Sequence, residues 1–95
     1  MFTLLQDILG GFYEVGDRLS AIDKNMGDEY DHWQMINVIH HRVRRKIDTL
    51  PVSILQRSPA LATFALTNSQ IHSCWSNCAS EIESCLDDMN TNGRI

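Results

Sequence analysis

Apolar residues recur along this chain at steps of three and four, the spacing that lines one face of an α-helix, and they do so in three successive blocks. The first block runs through Phe2, Leu5, Ile8 or Leu9, Phe12, Val15, Leu19, Ile22 and Met26. With polar residues between them, these positions predict an amphipathic helix over residues 2–26. Gly10-Gly11 lies inside the pattern, where each glycine costs about 1 kcal/mol relative to alanine. The pair marks a kink, a tolerated weak point, or a place where another backbone comes close. Nothing resembling a phosphate loop follows it. Asn25-Met26-Gly27-Asp28 reads as a stop, with Gly27 in the left-handed cap and Asp28 opening the next element.

The second block carries Trp33, Ile36, Ile39 or His40, Val43, Ile47 and Leu50, and Met35 and Val38 widen it to suit a helix with two neighbours. Glu29 and Asp31 fall in its first turn and a run of cations in its last turns, the ends at which the helix dipole favours each sign. Pro51 closes it. Residues 51–57 form a short connection in which Val52, Ile54 and Leu55 are too apolar to stay wet, so they cap the core or begin a brief helical turn. The third block opens on Ser58-Pro59, an N-cap hydroxyl ahead of a residue whose missing N–H costs nothing at the first helical position. Leu61, Phe64, Ile71, Trp75, Cys78, Ile82, Cys85 or Leu86, and Met89 continue one face over residues 58–89, interrupted only by Asn68. The tail after Met89 is expected to fray.

The pattern therefore predicts an all-α fold: one domain over residues 1–95, an antiparallel bundle of three long helices with short turns. At ~1.5 Å per residue the third helix would approach ~45 Å, more than a monomer of this size covers. Its overhanging apolar stripe calls for a partner, and a homo-oligomer is the expectation.

Composition adds limits. With 43% hydrophobic and 21% charged residues the chain is an ordinary globular one. No run nears the ~20 apolar residues that span a bilayer. The first residues lack a basic region and place Asp7 where a signal peptide would be apolar, so a cytoplasmic protein is expected. A net charge of −4 argues against a general binder of duplex nucleic acid. The three cysteines, all between Cys74 and Cys85, make no even disulfide framework and are expected to be reduced.

Candidate chemistry is sparse. His72, Cys74, Cys78 and Cys85 sit on one helix, whereas structural zinc needs four converging ligands, so neither a metal nor a cofactor is expected. His32, His40 and His41 show no metalloprotease spacing and are expected to be solvated or half-buried. No nucleophile elbow is present, and Glu81-Glu83 and Asp87-Asp88 read as solvating charges on a polar face. No enzyme is expected. The strongest polar signal is His41, Arg42, Arg44, Arg45 and Lys46, five potential cations within two turns, with His41, Arg42 and Arg45 on the outward arc. Guanidinium groups suit bidentate contacts to phosphate or carboxylate, although dipole complementation at a solvated helix end also accounts for the run.

One short stretch carries a resemblance. Thr63-Phe64-Ala65-Leu66-Thr67, followed by Trp75 and Asn77, resembles the C-terminal helix of the small phage anti-CBASS proteins that sequester cyclic oligonucleotides. That pattern reads roughly S-R-E-x-S-L-A-L-T and then x-L-E-E-A-x-M-W-x-N. Thr63 stands for the second serine, Ala65, Leu66, Thr67, Trp75 and Asn77 match, and Pro59-Ala60-Leu61 replaces Ser-Arg-Glu. About 20 of the 95 residues are involved. The resemblance implies an all-helical, non-catalytic oligomer that holds a cyclic nucleotide between protomers and silences a host immune effector. Arg57 or the Arg42 to Lys46 cluster would replace the missing arginine. Thr63 and Thr67 would position the ligand, and Tyr13 and Tyr30 are candidates for the base-stacking aromatic, which no motif match identifies. The ligand-binding set is thus His41, Arg42, Arg45, Lys46, Arg57, Thr63, Thr67, Tyr13 and Tyr30. The alternative is a helical protein-binding module, a phage inhibitor of a host protein or a secretion-type chaperone, whose apolar groove takes a partner helix.

Overall fold

The computed structural model describes residues 1–92 and shows five helices: α1 (Phe2–Asp23), α2 (Glu29–Ile47), α3 (Val52–Arg57), α4 (Pro59–Leu66) and α5 (Ile71–Asn92). The three long helices, α1, α2 and α5, pack together, and α1 touches both others along its length. α1 and α2 are antiparallel, since Asp7 meets Lys46, Gly11 meets Val43 and Arg18 meets His32. α5 is antiparallel to α1 on its other side, with Trp75 over Gly16 and Glu83 accepting from the Tyr13 hydroxyl. α4 runs back along α5, Ser58 beside Cys85 and the α4 start beside Glu81. Phe12, Phe64, Ile39, Ile54 and Ile82 are among the fully buried side chains at the centre.

α1 is unbroken through Gly10-Gly11 and stops before Met26. Its close is a Schellman motif: the Met26 N–H donates to the Ala21 carbonyl at 2.8 Å and the Asn25 N–H to that of Ile22 at 3.1 Å. Asn25, at φ 54°, takes the left-handed position expected of Gly27, and Gly27 follows at φ 82° beneath the His32 ring. The glycine pair divides by face. A methyl group on Gly11 would stand 2.5 Å from Cγ2 of Val43, so α2 comes close there, whereas Gly10 is exposed with nothing within 4 Å. Gly10→Ala should therefore raise the unfolding free energy by about 0.5–1 kcal/mol in chemical denaturation. A loss would show that this turn is not plain exposed helix.

The third predicted helix is two. The break at residues 67–70 follows from hydrogen bonds that compete with the helical ladder. Thr67 turns extended at φ −124° and ψ 179°, and its hydroxyl donates to the Thr63 carbonyl at 2.7 Å and accepts from the Ser69 N–H at 3.2 Å. The first amide of α5, on Ile71, donates to Nδ1 of His40 at 3.2 Å. Residue 68, where the stripe lapses, thus marks a real turn. The break removes the expected overhang: α5 has 22 residues, as does α1, and buries Ile71, Cys78, Ile82 and Cys85 within the same chain. The stripe is covered within the chain and so does not itself call for a partner subunit.

Smaller departures share one cause, the neighbours that tertiary packing supplies. The Ser58 hydroxyl makes no cap; it is fully buried, 3.8 Å from the Cys85 sulfur. Glu81 takes its place, accepting from the Ala60 N–H at 3.1 Å and the Leu61 N–H at 3.3 Å, a carboxylate where the α4 dipole favours one. Val52 is 67% exposed rather than dry, while Ile54 is buried. α5 continues helical through Asn90, Thr91 and Asn92; residues 93–95 of the expected tail lie outside the described residues. No described helix is long and apolar enough to cross a membrane.

Candidate functional site

α2 positions the basic residues by its period. Ile36, Ile39, Val43 and Ile47 face the core, so Val38, His41 and Arg45 fall on the opposite side with Arg42 and Lys46 on the flank toward α1, and the five line a depression of about 530 Å³, open to solvent. Val38, read from the pattern as widening the buried stripe, is 54% exposed there. Arg44 lies on another face. It reaches α4 and donates to the Ala65 carbonyl at 3.3 Å, satisfying an acceptor at that helix's C-terminal end.

α1 supplies counter-charges to one rim. Arg42 pairs with Glu14 at 3.4 Å and Lys46 with Asp7 at 3.6 Å, and all four side chains are a third or more exposed. Exposed pairs of this kind contribute about 0–1 kcal/mol, so an incoming phosphate can displace them. Among the described residues Arg45 has no ion pair. The depression therefore offers one unpaired guanidinium, one weakly held guanidinium, one weakly held ammonium and an imidazole.

The other predicted site residues lie elsewhere. Arg57, on α3, pairs with Asp88 of α5. Thr67 is spent on the turn described above, and Thr63, exposed on α4, lends it a carbonyl. The Tyr13 hydroxyl donates a hydrogen bond to the Glu83 carboxylate, which raises the phenol's pKa above the ordinary 10. Tyr30 accepts from Gln34 at 2.7 Å near the start of α2. Trp75 lies against Gly16 in the α1–α5 seam. The α4–α5 break also divides the stretch that carries the resemblance, between Thr67 and Trp75.

His40 is not solvated, as its spacing left open, but 6% exposed. Its ring meets Phe64 edge-on at a centroid distance of 5.2 Å and His41 at the same distance. Burial first, then the charges of His41, Arg44 and His72, lower its pKa below the ordinary 6.5. The cysteines are unbridged. Cys78 is pushed up by its hydrogen bond to Cys74 and by burial, the reverse of what a nucleophilic thiol needs. Among the described residues no three metal-ligating side chains converge. Comparison of the chain with family models, curated proteins and solved structures finds no match.

Proposed function

We propose that this chain is a non-catalytic binder that sequesters a phosphate-bearing signalling molecule, a cyclic oligonucleotide or a close relative, in the basic depression of α2, and so counters a host antiphage defence. The observation that supports it is the convergence of His41, Arg42, Arg45 and Lys46 on one open concavity, in a chain whose net charge is −4. Segregation of the cations on one face draws an anion to that face against the overall sign. The aliphatic Val38 beside them gives a nucleobase or sugar an apolar surface. Self-association is part of the proposal only in its liganded form: two such depressions repel each other when empty, and a polyanion bridging them would hold two protomers together.

Calorimetry with a panel of cyclic di- and trinucleotides tests the reading. Saturable binding is expected, with stabilisation of ~2.7 kcal/mol at a hundred times the dissociation constant. Arg45→Ala should weaken it roughly 10- to 100-fold, the value of one charge-assisted contact, and leave the unliganded melting temperature in place. If no nucleotide binds, or if the variant binds as tightly as the parent, the proposal fails. A second reading, a protein-binding module with an acidic partner, draws on Val38 and on Leu66, which is 80% exposed at the end of α4. It predicts no heat with any nucleotide.

A further inference from the structure

The start of α5 hangs on one titratable side chain. Gln70 precedes the helix, and the Ile71 amide, which has no partner within the helix, donates to Nδ1 of His40 at 3.2 Å. Nδ1 can accept only while it carries no proton, so the bond requires the neutral imidazole with its hydrogen on Nε2. A second proton converts the acceptor into a donor aimed at another donor. We propose that His40 is a proton-operated latch: neutral, it holds the α4–α5 turn and the first turn of α5 against α2, and protonated, it releases them.

The surroundings make the change one-directional. From α2, His41 and Arg44 face the ring; from α5, His72 does; α4 carries no ionisable side chain, only the edge of Phe64. On α1, Glu14 is engaged by Arg42. No carboxylate is therefore among the groups that set the ring's charge, and an imidazolium would stand among like charges. Latched, the ring takes a proton only below 6.5; released into water it does so near 6.5. The closed state thus dominates above that pH and loses its hold as pH falls through the lower, latched value. The segment keeps three other ties, the Arg44 bond to the Ala65 carbonyl, the buried Ile71 side chain and the His72 ring against Trp33, and none of them bonds the Ile71 amide. Leu66 is exposed, and the Thr67 hydroxyl bonds only locally.

Amide hydrogen exchange on the full chain, read by NMR and normalised to intrinsic rates, tests the latch. Protection of the Ile71 amide should fall by up to tenfold per pH unit below about 6.5, while that of Phe12 in α1 holds. His40→Asn presents a side-chain carbonyl that can accept the same N–H and does not titrate, so its Ile71 protection should be flat over that range. A flat parent profile, or an equal fall in both chains, overturns the proposal. Should the variant not fold, the parent's ring nitrogens decide: Nδ1 must be unprotonated at neutral pH and titrate below 6.5, Ile71 protection having fallen by the time the ring is charged. Protonation without that loss refutes the latch.

Discussion

Phe64→Ala should cost about 3–5 kcal/mol, the range for emptying an aromatic site in a core, and at about 4–8 °C per kcal/mol it should lower the melting temperature by well over 10 °C. Phe64 is fully buried, and its ring meets that of Phe12 in α1 at 6.1 Å and 70° and that of His40 in α2 at 5.2 Å and 89°. One side chain thus ties the eight-residue α4 to two long helices. Leu66, two residues on and mostly exposed, is the control; truncating it should change stability by no more than about 0.5 kcal/mol. Equal effects at the two positions in thermal or urea unfolding would mean that α4 does not pack by this face.

Gly16→Ala is the second. In a surface helix that change is worth up to about 1 kcal/mol of added stability. Here a methyl group would stand 2.6–2.9 Å from three ring atoms of Trp75. The indole is a rigid plate held between α1 and α5, so the seam must open, and a net loss of about 1–3 kcal/mol is expected. Replacing Trp75 with leucine first should remove most of that penalty, a coupling visible in a double-mutant cycle. The result also bears on function. A Trp75 free to stack on a ligand base would swing away at small cost, and Gly16→Ala would then be neutral or stabilising.

The candidate site was legible in part, and the dividing line is the helical period. Spacing alone puts His41, Arg42 and Arg45 on an outward arc, because the core-facing Ile39, Val43 and Ile47 define the opposite side. It is silent about which cations are answered by carboxylates from another helix. Asp7 and Glu14 lie 39 and 28 positions from their partners, and only the packing of α1 on α2 brings them together. Arg44 shows the same limit: one step from Arg45 in the chain, it serves α4 instead of the depression.

Local interactions made the helices readable. The apolar period, the Asp28 cap on the Tyr30 amide, the acidic first turn of α2 and the stop after Asp23 all act within a few residues of where they are written, so the amino-acid order determined all-α structure and the faces the helices bury. Tertiary structure decided where a continuous stripe is cut. A hydroxyl at Thr67 can serve a helix or end one, and it ends one here because His40, 31 positions away from Ile71, receives the amide that a continuing helix would have claimed. That exchange of a near partner for a distant one folds α4 back against α5, lets α1 cover the stripe that otherwise lacked a neighbour, and leaves the cations of α2 as the chain's exposed basic face.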